Sequence, residues 1–253
     1  MAWFMTGSEF AKRSGGPQDS SVSMSAAVPE PIPIAVNGTQ RVSGLLQAPP
    51  EARACYVLSH GAGAGMTHPF MSAIADGLSG RHVATLRYQF PYMERGAKRP
   101  DAPELAHATV RAAVIDASRR LPELALFAGG KSFGGRMTSQ AQAVSPLPGV
   151  RGLVFLGFPL HPPGKPSIER AGHLSEVKIP MLFLQGTRDE FAELHLLEAV
   201  CKQLERATLK LFEDADHSFH VPARTGRKDS EIRAELLDAL TSWIGRIMAG
   251  EPR

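Results

Sequence analysis

Between residues 54 and 212 the chain alternates short apolar runs with stretches of helical spacing, and few folds accommodate that alternation. The runs at 54–59, 83–86, 124–128, 152–156, 181–184 and 207–212 are each bounded by glycine, proline or polar residues. Continuous apolar runs of this length are what strands covered on both faces look like. The intervening stretches carry helical stripes. Val110, Val114, Ala117 and Leu121 form one, Phe191, Leu194, Leu197, Cys201 and Leu204 a second, and Ile232, Leu236, Leu240, Trp243 and Ile247 the last. Repeating β-α units predict an α/β fold, a mostly parallel sheet with helices on both faces.

Two segments precede the alternation. Residues 1–30 are rich in small and polar residues without periodicity, which predicts a disordered extension; Met24 is a candidate start. Ile32 to Val36 and Arg41 to Leu46 then flank Asn37-Gly38, which reads as a β-hairpin with a type I′ turn. Pro33 confines the first of its strands to an edge. No repeat and no second change of composition follows, so residues 31–253 are expected to form one domain.

Composition sets outer bounds. Hydrophobic residues make up 43% and charged residues 21% of 253, ordinary values for a packed domain. The excess of 28 Lys and Arg over 25 Asp and Glu is small and scattered, which argues against a nucleic-acid partner. No apolar run is long enough to span a membrane. Cys55 and Cys201 lie in apolar settings and form no disulfide framework, which suits a reducing, cytoplasmic location.

The chemistry concentrates at Leu124 to Met137. An apolar run leads into Gly130-Lys131-Ser132-Phe133-Gly134, with a helical pattern behind it. This Gly-x-Ser-x-Gly in a strand–turn–helix context is what a nucleophile elbow requires. A serine on so sharp a turn forces strand and helix together, so its neighbours need to lack side chains. The competing reading is a phosphate-binding loop, since Gly130-Lys131-Ser132 matches the end of that motif, but Ala125 stands where its leading glycine belongs.

Ser132 needs a base. Of nine histidines, His217 follows the last apolar run and precedes the last helix, where a loop can bring an imidazole over the strand ends. His220 competes with it. Asp189, after the run at 181–184, would orient the imidazole and gives the chain order serine, acid, histidine. Glu190, Asp214 and Asp216 are alternatives, and Asp189 is also a candidate helix cap. The small residues of Ser59-His60-Gly61-Ala62-Gly63-Ala64-Gly65 would let an amide face the site. The Ala62 and Phe133 amides form the expected oxyanion hole. A dinucleotide fingerprint counted from Gly61 fails at Met66. His60 reads as a structural hydrogen-bonding residue.

Taken together, residues 59–65, 130–136, 185–189 (Gln-Gly-Thr-Arg-Asp) and 216–219 (Asp-His-Ser-Phe) resemble the α/β-hydrolase superfamily. Within it they are similar to the small dienelactone-hydrolase-like branch, related to a subunit of the eukaryotic NSL acetyltransferase complex. The resemblance runs from about residue 32 to 248. It implies the α/β-hydrolase fold and catalytic roles for Ser132, Asp189 and His217, with Ala62 and Phe133 as amide donors. Dienelactone hydrolases proper use a cysteine where this chain has Ser132. The stretch 158–178 is too short for a large lid, so little or no lid domain is expected. Arg87, in a segment that also matches the branch, is either a ligand for a substrate carboxylate or part of a structural ion pair.

These observations predict a serine hydrolase that cleaves a carboxylic ester or related acyl bond of a small molecule. The alternative, raised by the complex-subunit relatives, is a non-catalytic interaction module with a protein partner. No motif implies a cofactor or a metal ion.

Overall fold

A computed structural model describes residue 1 and residues 27–251. Most of the expected N-terminal extension therefore lies outside the described residues. The described chain is engaged from Ala27, whose amide donates to Ser79 Oγ at 2.9 Å.

Among the described residues one sheet of eight strands organises the fold. The strands are β1 (Glu30–Ala35), β2 (Arg41–Gln47), β3 (Ala54–Ser59), β4 (Val83–Tyr88), β5 (Ala125–Lys131), β6 (Val150–Leu156), β7 (Met181–Gly186) and β8 (Ala207–Phe212). Their spatial order is β1-β2-β4-β3-β5-β6-β7-β8, antiparallel at the β1-β2-β4 end and parallel throughout the rest. In β3, β4 and β7 every residue is buried, as parallel strands with both faces covered require. The flanking β8 is only partly buried, which its position at the sheet edge explains.

Helices α1 (Pro69–Ser79) and α6 (Asp229–Met248) cover one face, with Met71, Ile74, Ile232, Leu236 and Trp243 in its core. Trp243 meets Phe127 edge-on, with centroids 5.8 Å apart. Its burial to 1% exposure puts it among the largest stabilising side chains, at roughly 1.5–3 kcal/mol or more for a group of this size. The other face is covered by α3 (Pro103–Arg120), α4 (Phe133–Val144) and α5 (Leu194–Gln203), through Val110, Val114, Met137, Leu197 and Cys201. A short helix, α2 (Pro91–Glu94), follows β4.

The hairpin departs from expectation at its turn. Ala35 pairs with Arg41, so the connection is longer than two residues. Neither Asn37 nor Gly38 takes a positive φ, so the turn is not type I′. Instead Asn37 Oδ1 accepts from the amides of Thr39 and Gln40, at 3.1 and 2.8 Å. The asparagine side chain captures the turn's donors, and the left-handed pair is not needed. Pro33 does lie on the edge strand, as anticipated. Phe191, placed by its spacing on the helix now called α5, lies ahead of it instead. No helix among the described residues is long and apolar enough to cross a membrane.

Candidate active site

Every expected site residue except Arg87 converges at the carboxyl ends of the parallel strands, the edge at which open α/β sheets place their ligands. Ser132 sits between β5 and α4, with φ 50° and ψ −116°. A non-glycine residue held there is strained, and such strain persists only where the surroundings over-determine it. Two glycines supply the surroundings. Gly130 has φ 153°, and a Cβ there would lie 2.2 Å from the Ser59 carbonyl oxygen. A Cβ on Gly134 would lie 2.5 Å from the His60 carbonyl oxygen. The elbow thus forms because the chain is bare where β3 and α4 press against it.

His217 lies on the loop after β8, its side chain 17% exposed. Its Nδ1 is 2.7 Å from Asp189 Oδ2, and its Nε2 is 2.8 Å from Ser132 Oγ. A carboxylate only accepts, so the neutral ring carries its proton on Nδ1, and Nε2 accepts from the serine hydroxyl. Asp189, 4% exposed, is fixed on both oxygens. Oδ2 also accepts from Gln185 Nε2 at 2.5 Å, and Oδ1 accepts from the Phe191 amide at 2.8 Å. Asp189 does not cap α5, whose N-cap position is Glu193.

Burial holds His217 below the ordinary histidine value; the hydrogen bond to Asp189 works in the opposite direction, and the charge of Lys131 lowers it further. The imidazole is therefore neutral and able to accept a proton through the neutral pH range. Lys131 Nζ donates to the His217 carbonyl at 2.5 Å and lies 5.6 Å from the centre of the Phe219 ring. Burial pushes this lysine down to about 8. His220 instead stands exposed and pairs with Asp229 at 2.9 Å, outside the relay.

Ala62 and Phe133 line the space around Ser132. Phe133 opens α4, and the first amides of a helix have no carbonyl partner within it. His60 is fully buried, with one ring nitrogen 2.8 Å from the Gly61 carbonyl and the other accepting from the Phe90 amide at 3.0 Å. It supports the loop.

Arg87 is placed differently from either sequence-based reading. It is 2% exposed within β4, donating to Ser72 Oγ at 2.9 Å and to the Met66 carbonyl at 3.3 Å, and it lines neither cavity at Ser132. Its contacts join β4 to α1, to the loop before it and, through Gln47, to β2, and among the described residues it forms no salt bridge. The strand alternation turns its side chain to the face that α1 covers.

Sequence reasoning missed the Gln185 support and the Phe191 ring, which lies 4.3 Å from that of His217, centre to centre. A second serine–histidine contact, Ser139 Oγ to His173 Nε2 at 2.7 Å, differs in kind. Ser139 is fully buried, and burial with the nearby Arg136 pushes His173 down to about 4. That contact ties α4 to the segment between β6 and β7, which holds only a short 3-10 helix (Glu169–Glu176) and no lid. Among the described residues no cluster of His, Cys, Asp or Glu is arranged to hold a metal ion.

Comparison with known proteins agrees with this architecture. Residues 52–245 match the family model described as alpha/beta hydrolase domain. A serine hydrolase homologue from Coxiella burnetii superposes with a TM-score of 0.66 at 19% identity, over 82% of this chain and 95% of that one. A serine hydrolase without a lid from Xanthomonas campestris gives 0.66 at 19% identity, over 85% and 94%. A dienelactone hydrolase from Anabaena variabilis gives 0.65 at 20% identity, over 89% and 99%.

Proposed function

The chain belongs to the alpha/beta hydrolase domain family, and on that premise we propose that it is a serine hydrolase of the dienelactone-hydrolase-like branch, cleaving a carboxylic ester or related acyl bond. The observation that carries the proposal is the unbroken relay Ser132 Oγ, His217, Asp189, with contacts of 2.8 and 2.7 Å.

Ser132 Oγ attacks the substrate carbonyl as its proton passes to His217 Nε2. Asp189 stabilises the imidazolium that results. The Ala62 and Phe133 amides receive the developing oxyanion, a contribution on the order of 3–4 kcal/mol for a single donor in comparable sites. Collapse of the tetrahedral intermediate expels the alcohol, which takes the proton from His217 and leaves Ser132 acylated. Water, deprotonated by His217, then releases the acid and restores the hydroxyl.

The site opens on a cavity of about 300 Å³ beside His217, lined by Ala64, His68, Phe70 and Met71. A volume of that order suits a small substrate. The two buried, unpaired cysteines support a reducing, cytoplasmic setting as part of the same reading. The test is turnover of short-chain nitrophenyl esters by the protein and by Ser132→Ala. The proposal predicts hydrolysis that the substitution abolishes, whereas equal rates in both would remove it.

A further inference from the structure

Ser132 also lines a second cavity, of about 650 Å³, which adjoins the first through Ala62 and Phe191 and is not lined by His217. Its wall carries Phe133, Met137 and Pro159 together with Arg136, Arg170 and Arg99. Arg136 follows Ser132 by one helical turn, its amide donating to the Ser132 carbonyl at 3.1 Å. The side chain of Arg136 is partly buried, and its Nε is buried with no hydrogen-bond partner. Among the described residues none of these three arginines forms a salt bridge. Asp101, the acid on the same wall, is already held by the Tyr92 amide at 2.7 Å and by Arg95.

Burial, and then the charge of Arg170, destabilise the cationic form of Arg136. Arg136 is partly buried beside another cation, and an anion entering the cavity would relieve that repulsion. A guanidinium's paired N–H groups match the two oxygens of a carboxylate.

The relay bears on which part of a substrate reaches this wall. The departing alcohol must collect a proton from His217 Nε2, so it leaves through the cavity that His217 lines. The acyl chain then extends the other way, toward Arg136 and Arg170.

We propose that the acyl group ends in a carboxylate seated between Arg136 and Arg170, so that the substrates are half-esters or half-thioesters of dicarboxylic acids. This rests on the acyl-Ser132 reading above. In the overall step the ester C–O (or C–S) bond breaks, water adds its OH to the acyl carbon and its proton to the leaving group, and the dicarboxylic acid departs.

The test compares the full-length protein on nitrophenyl monoesters of glutaric and adipic acid with its action on nitrophenyl pentanoate and hexanoate. The wild type is expected to favour the charged esters in kcat/KM by about tenfold or more, as hydrogen bonds to charged groups allow. In Arg136→Gln and in Arg170→Gln that ratio is expected to fall toward parity. Free glutarate is also expected to slow labelling of Ser132 by a fluorophosphonate in the wild type but not in Arg136→Gln, a readout independent of turnover. A wild type without preference for the charged esters, a preference that survives both substitutions, or no protection by glutarate would overturn the anion site while leaving the hydrolase reading intact. Absence of both turnover and labelling at Ser132 would instead remove the hydrolase reading, and this inference with it.

Discussion

Lys131 Nζ donates to the backbone carbonyl of His217, so the residue preceding the proposed nucleophile holds the loop that carries its base. The same ammonium lies close enough to the imidazole to lower its pKa. Replacing Lys131 by methionine removes that charge while retaining much of the bulk. The His217 pKa should therefore rise, and the acid limb of kcat/KM should move to higher pH. Lys131 is itself pushed down to about 8, so its charge is present across the pH range where the acid limb falls. A pH–rate profile checks this; a limb that stays in place or moves to lower pH would contradict it.

Asp189 holds His217 in the tautomer that leaves Nε2 free to accept. Asp189→Asn keeps the shape but permits the wrong tautomer, and should lower kcat by about 10⁴-fold with the fold retained. Gln185→Leu removes one donor to the Asp189 carboxylate while leaving the relay in place, and should cost closer to tenfold. Steady-state kinetics with circular dichroism on both variants tests the ranking.

Two histidines three residues apart should behave very differently. His220 is exposed and its pairing with Asp229 holds its pKa above the ordinary value. His220→Ala should leave kcat within a fewfold of wild type, while His217→Ala should reduce it by about 10³-fold or more. The reverse order would move the base to His220.

Gly130→Ala should fail to give a folded protein, or should unfold at a much lower temperature. Its Cβ would meet the Ser59 backbone oxygen at 2.2 Å in a backbone conformation that only glycine tolerates well. Overpacking costs about 1–3 kcal/mol even where side chains can shift, and here the obstacle is main chain. Thermal denaturation reads the result. An alanine variant as stable as wild type would mean that the elbow has more room than this geometry gives it.

Much of this arrangement is legible in the sequence. The apolar runs located the parallel strands because a strand buried on both faces has to be apolar throughout. Ser132, Asp189 and His217 were readable because each follows a strand, and the carboxyl ends of parallel strands share one edge. What escaped the sequence depended on how separate loops meet. Gln185 looks like the end of an apolar run, and only the fold brings its amide to Asp189. Phe191 keeps the spacing of α5 yet belongs to the loop that faces His217. The Asn37-Gly38 pair carries a strong turn signal, but the Asn37 side chain bonds the backbone in a way that the dipeptide does not reveal. Arg87 lies in a segment that resembles the family's, and strand alternation directs it into the protein. Arg136 and Arg170 are distant in sequence and share a cavity only once α4 and the segment after β6 are packed.

The most direct test of the central claim is reaction of the folded protein with a fluorophosphonate, followed by mass spectrometry of the labelled peptide. The account predicts a single adduct on Ser132, formed far more slowly in His217→Ala. A folded protein that takes up no label, or takes it on another serine such as Ser139, would contradict it.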